Sequence, residues 1–207
     1  MDRNLGALNV YRDADNRNLY YQWGRKDPFY DKATNPSINN VISATNKGTA
    51  LNIDESVKNP TVFFQQQSAT GNTGIWHGGT AAITTLWDPN TKTVFDPCPA
   101  GWQVPEKVAW NFYKWNTNFA WDTANPSGAV LTVKPGVYSW FPIGALKNDL
   151  NFDGYKTYMW SSDWENGFPY SYSISWNGGD TSSSATGDVV NNIAGSLGGS
   201  VRCVKVK

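Results

Sequence analysis

The chain has 207 residues at 22.9 kDa, and 17 Lys plus Arg stand against 17 Asp plus Glu, so there is no net charge to hold a phosphate backbone or an anionic lipid surface. No nucleic-acid partner is expected, and no membrane insertion, because no apolar run approaches the roughly 20 residues of a membrane span. Charged residues are 16% of the chain and aromatics 14%, with 11 Trp and only three Glu (Glu55, Glu106, Glu165); this excludes long charged surface helices and predicts strands and loops around an aromatic core.

The length fits one domain over residues 1–207. Six of the 11 prolines follow Asp or Asn (Asp27-Pro28, Asn35-Pro36, Asn59-Pro60, Asp88-Pro89, Asp96-Pro97, Asn125-Pro126), each a turn signal. Between them, Leu19–Trp23, Val62–Phe64, Thr93–Phe95, Val130–Val133, Tyr158–Ser161, Tyr170–Trp176 and Ser200–Val206 read as strands. Tyr170, Tyr172, Ile174 and Trp176 alternate with Ser171, Ser173 and Ser175, the clearest period of two in the chain. In the last run, Val201 and Cys203 are expected inward and Arg202, Lys205 and Lys207 outward. A helix is predicted over Pro105–Trp115, with Val108, Phe112 and Trp115 on its inner face, and a shorter one over Asp54–Lys58. Residues 177–200 hold no aromatic and no long charged side chain, and read as an exposed loop or hairpin region.

Chemistry-bearing motifs are few. His77, the sole histidine, lies beside glycines without a GxSxG elbow or a reactive-Cys context, so a loop histidine is the default. Asp163, Glu165, Asp180 and Asp188 could supply the carboxylate pair of a glycosidase, although no spacing selects one. With Asn166 and Asn177 the same acids offer hard oxygen ligands of the kind calcium takes, but no EF-hand loop is present and no cofactor is expected. There is no phosphate-binding glycine loop. Trp164, flanked by polar residues in Asp163-Trp164-Glu165-Asn166, is the best candidate for an exposed aromatic that grips a sugar ring or a partner protein.

The two cysteines, Cys98 and Cys203, are too far apart for a CxxC motif; one disulfide or two buried free thiols both fit the count. A bridge would imply an oxidising, extracytoplasmic compartment.

Asp96-Pro97-Cys98-Pro99-Ala100-Gly101-Trp102-Gln103-Val104-Pro105, followed by a segment with Trp110, resembles the DPCPxGWRVP signature of the Fibrobacter succinogenes major paralogous domain, a family widespread in surface lipoproteins of Bacteroides and relatives. Met1–Gly6, Tyr20–Phe29, Tyr158–Ser162 and Ser200–Val204 resemble its other blocks in the same order. The resemblance implies an α+β, C-type-lectin-like fold with the termini brought together and Cys98 paired with Cys203. It also implies an exported, surface-anchored protein of the kind associated with fimbrillin-like adhesins, in which Met1 corresponds to an internal methionine of a longer precursor. The EPN and WND motifs of calcium-dependent lectins and the paired cysteines of formylglycine-generating enzymes are absent.

The expected function is therefore an extracellular ligand-binding or adhesion module without catalysis. Its face lies between the last strands, with Trp164, Tyr170, Tyr172, Trp176, Asn177 and Asp180 as contacts and a glycan or a protein on a host or neighbouring cell as partner. Two alternatives share the same chain: a fimbrial subunit, and a carbohydrate-active enzyme using the nearby acids. C-type-lectin-like domains are also the scaffold of diversity-generating retroelements, and residues 177–200 use only side chains that randomised Asn codons encode.

Overall fold

The computed structural model describes residues 1, 3–7, 19–29, 53–64, 76, 86–113, 119–122, 128–142, 144, 156–165, 167–176, 185–190 and 193–206. Among the described residues ten strands carry the architecture: β1 (Tyr20–Gln22), β2 (Trp102–Gln103), β3 (Phe119–Asp122), β4 (Gly128–Lys134), β5 (Val137–Pro142), β6 (Lys156–Glu165), β7 (Phe168–Trp176), β8 (Ala185–Val190), β9 (Gly198–Ser200) and β10 (Val204–Lys205). Among the same residues one short helix, α1 (Ile53–Lys58), and a 3₁₀ turn over Lys107–Trp110 accompany them. The fold is mostly β with a minor helical part, in keeping with an α+β reading.

A five-stranded sheet runs in the order β1-β9-β6-β7-β8; β3-β4-β5 form a three-stranded meander, and β2 pairs with β10. Strand β6 is buried from Thr157 to Ser162 because both of its faces are covered. Successive side chains of a strand point to opposite faces, so Trp160 and Met159 enter different cores. Trp160 joins Tyr21, Trp23, Phe64, Trp76, Trp87 and the cystine. Met159 joins Tyr172, Ile174, Leu131, Phe141 and Trp110, which seats the meander on the large sheet.

Indole donors staple the first core. Trp23 Nε1 donates to Ser161 O at 2.8 Å, Trp76 Nε1 to Trp23 O at 2.7 Å, Trp87 Nε1 to Phe95 O at 2.9 Å and Trp160 Nε1 to Tyr21 O at 2.7 Å. Gly199 sits where β9 passes the Trp160 ring: a Cβ there would lie 2.7 Å from Nε1. The buried Arg25 guanidinium binds Gln22, Asp27 and the Val62 carbonyl among Phe29, Phe64 and Trp76.

The Asx-Pro turns at Asp88 and Asp96 close as their chemistry dictates. Asp88 accepts the Asn90 N–H, and the buried Asp96 carboxylate accepts the N–H groups of Cys98 at 2.7 Å and Val104 at 3.0 Å while Lys92 Nζ lies 2.9 Å away. This knot presents Cys98 to Cys203, and the two are bridged with a Cα–Cα distance of 5.9 Å. Beside the bridge, Met1 N donates to Cys203 O and Leu5 N to Val201 O, so the start of the chain lies along its last strands.

Several expectations are corrected. Thr93–Phe95 forms no strand and Val62–Phe64 carries a β-bridge only at Phe64, whereas β2, β3 and β5 are additional strands; β8 pairs antiparallel with β7 inside the region expected as a loop or hairpin. The run Ser200–Val206 is split into β9 and β10, with Arg202 turned inward: its guanidinium reaches Asn4 Oδ1, Ser139 Oγ and Trp140 O and lies over Phe141, so each of its three nitrogens has a protein acceptor in place of water. The Pro105–Trp115 helix is reduced to 3₁₀ turns, leaving Val108 57% and Phe112 62% exposed; Trp115 lies outside the described residues. The Pro105 carbonyl accepts from both N–H and Oγ of Ser162, which diverts the first helical acceptor into the sheet, and Trp110 turns inward onto Tyr172.

Candidate functional site

The tip of the β6–β7 hairpin is the best-defined exposed polar and aromatic surface among the described residues. Asn166-Gly167 is a strong two-residue hairpin signal, and Gly167 has φ 86°, a left-handed conformation that favours glycine. Glu165 pairs with Phe168 and Trp164 with Pro169, after which a register shift between Trp160 and Trp164 bends β6. That bend is pinned from three sides. Ser161 O accepts the Trp23 indole, Ser162 N donates to Pro105 O at 2.8 Å, and Asp163 Oδ2 accepts the Lys107 N–H at 2.5 Å.

Strand alternation then sorts the hairpin side chains onto two faces. Trp164 and Pro169 lie on the side of the first core, where the half-buried Trp164 ring packs 4.8 Å from Trp23, itself 5.6 Å from Trp87. Glu165, Phe168 and Tyr170 lie on the other side. There the Tyr170 hydroxyl donates to Glu165 Oε2, Lys107 Nζ stands 4.0 Å above the Tyr170 ring, and the same ammonium is 3.6 Å from Glu165 Oε2. Lys107 is 38% and Glu165 51% exposed, so the cluster faces solvent.

The electrostatics follow from this geometry. The Tyr170 hydroxyl, and after it the Lys107 ammonium, hold the Glu165 carboxyl below its ordinary value. For Lys107, partial burial pulls its value down, but the Tyr170 hydroxyl and the carboxylates of Glu165 and Asp163 outweigh it and raise it. At neutral pH the surface therefore presents an ammonium, a carboxylate and a phenol ring within one contact area. This can donate to, accept from and stack on a ligand.

The expected contacts do not form one face. Tyr172 is a correction: it is 0% exposed, its ring stacks on Trp110 at 5.6 Å and its hydroxyl donates to Tyr113 O at 2.7 Å, so it is a core residue. The period of two was read correctly, but the meander covers the side it points to. Burial also pushes the Tyr172 hydroxyl well above the ordinary tyrosine value. Trp164 and Tyr170 point to opposite sides of the hairpin. The Trp176 backbone ends β7 opposite Ala185, while Asn177, Asp180 and His77 lie outside the described residues. Of the acids considered for calcium or hydrolysis, Asp163 caps the Lys107 N–H and Asp188 the Val189 N–H. Among the described residues no three His, Cys, Asp or Glu side chains gather in a way that could hold a metal.

Lys107 is the site residue that sequence reasoning missed. It was assigned to a helix, and only the tertiary contact of Pro105 with Ser162 brings it over Tyr170. The pairing of Glu165 with Tyr170 was legible in principle, because Asn166-Gly167 sets the register that places both on one face.

Comparison with protein-family models, with curated proteins and with solved structures gives no match for this chain.

Proposed function

We propose that this protein is an extracellular ligand-binding or adhesion module of C-type-lectin-like fold, displayed at a bacterial cell surface and acting without catalysis. The observation that carries the reading is the solvent-facing group of Lys107, Tyr170 and Glu165 on a hairpin locked by core tryptophans: a rigid element offering an aromatic face with a donor and an acceptor beside it. Two further features support it. The buried cystine suits an oxidising compartment, and the five sequence blocks behind the family resemblance meet around it.

The test is an array of glycans and extracellular-matrix proteins probed with the purified, oxidised chain, with calcium and again with a chelator. A selective signal that disappears in Tyr170→Ala is expected. A signal that survives Tyr170→Ala, Lys107→Ala and Glu165→Gln would remove the hairpin tip from the contact surface, and hydrolysis of arrayed glycans would replace the binding module with an enzyme.

A further inference from the structure

We infer that the Lys107–Tyr170–Glu165 face takes a neutral pyranose, held by stacking on Tyr170 and by hydroxyl contacts to Glu165 and Lys107. The inference rests on the binding-module reading above and names its ligand class. Three observations lead to it.

First, the two charges that flank the Tyr170 ring are already paired with each other. Lys107 and Glu165 lie 3.6 Å apart, and Asp163, which leaves the group with one net negative charge, has a carboxylate oxygen bound to the Lys107 N–H. A cationic or anionic ligand would have to break this pair to gain one of its own, whereas an uncharged polyol can bind to both members without breaking it. Second, the hydrogen-bonding capacity that is left suits vicinal hydroxyls. The Tyr170 hydroxyl occupies Glu165 Oε2 and leaves Oε1 to accept, while the ammonium, with three N–H groups, is too far from Oε2 for a good hydrogen bond and can donate to a ligand oxygen. Adjacent acceptor and donor sites match two neighbouring hydroxyls, each of which donates and accepts. Third, the platform is aromatic, half-buried and fixed. Tyr170 sits in β7, its carbonyl accepts the Ser161 hydroxyl at 3.0 Å, and its own hydroxyl is tied to Glu165, so little side-chain freedom is lost when a sugar's apolar face lands on the ring. The Lys107 ammonium covers one side of that ring at 4.0 Å, so the sugar lands across the ring edge, from where its hydroxyls can reach both Lys107 and Glu165.

The experiment is saturation-transfer-difference NMR on the oxidised chain with the methyl pyranosides of glucose, galactose and mannose, with methyl glucuronide and methyl glucosaminide as charged counterparts. At least one neutral pyranoside is expected to bind, with a dissociation constant on the order of 1 mM for so shallow a face, and the charged analogue to bind at least about fivefold more weakly. Tyr170→Ala should weaken binding about tenfold or more. Tyr170→Phe, which keeps the ring but releases Glu165, should cause an intermediate loss. Glu165→Gln, a change at an exposed side chain, keeps the fold while exchanging the carboxylate for a weaker acceptor, and should also weaken binding. Stronger binding of a charged sugar, or neutral binding indifferent to all three variants, overturns the inference. If no pyranoside binds but an arrayed protein does, with loss in Tyr170→Ala, the sugar assignment falls and the binding module stands. If nothing binds on either assay, both fall.

Discussion

Tyr172 and Gly187 show how closely single residues are fitted in the second core. The Tyr172 hydroxyl passes over Gly187 to reach Tyr113 O, and a Cβ at position 187 would overlap that hydroxyl and lie 2.5 Å from Cζ. Gly187→Ala should therefore destabilise the protein by about 1–3 kcal/mol through overpacking. Tyr172→Phe should cost about 1 kcal/mol for the lost buried hydrogen bond. Urea denaturation of both single variants and the double variant checks this, and the double should cost less than the two added, because removing the hydroxyl takes away the worst clash. At the surface, Glu165 sets a pH signature. Its folded value lies below the ordinary 4.5, so its contribution is complete above that value and is lost as the pH falls through the lowered one. Ligand binding measured across pH should be flat from neutrality down to about 4.5 and decline only below it, while Glu165→Gln should remove that acid limb.

At the scale of elements, the β6–β7 hairpin shows what a sequence can and cannot announce. The alternation in Tyr170–Trp176 and the compact aromatic run Tyr158–Ser161 are local patterns, and both strands form where they predict. Pro135-Gly136 and Asn166-Gly167 were readable turn signals that would have added β5 and the hairpin closure. The fate of Pro105–Trp115 was not readable, because its first carbonyl is claimed by Ser162, 57 residues away. Arg202 likewise looks like an outward strand residue until Asn4, Ser139 and Trp140 supply acceptors from three distant segments. The candidate site shares this limit: Tyr170 was found from its strand, Lys107 only from the tertiary contact. Trp164, isolated among polar neighbours, reads as a surface aromatic but rests on Trp23. Trp164→Ala should accordingly lower the melting temperature, by an amount matching about 1–3 kcal/mol for a half-buried ring, and leave affinity at the Tyr170 face unchanged. Loss of affinity at an unchanged melting temperature would instead place Trp164 in contact with ligand.

Across the whole molecule, contacts between segments far apart in sequence converge on one small region. Met1 meets Cys203, Asn4 meets Arg202, Tyr21 meets Trp160, Trp23 meets Ser161, and Pro105 meets Ser162. Each contact closes a long loop, and the cystine spans 105 residues of chain, so covalent closure of that loop removes from the unfolded chain the entropy of letting those two ends move apart. In the chain-entropy description a loop of this length is worth about 4.7 kcal/mol, a large share of the total stability of a domain this size. Replacing both cysteines by alanine should therefore lower stability by up to about 4.7 kcal/mol, with the loss read from guanidinium denaturation of the two proteins. The Asp96 knot separates covalent from local effects: Asp96→Ala leaves the sulfurs in place but strips Cys98 N and Val104 N of their shared acceptor, at a cost of about 3 kcal/mol. If the bridge acts chiefly on the unfolded chain, the double cysteine variant should keep native near-ultraviolet circular dichroism and unfold at lower denaturant. Loss of that signal without denaturant would mean that the bridge holds the folded core together directly.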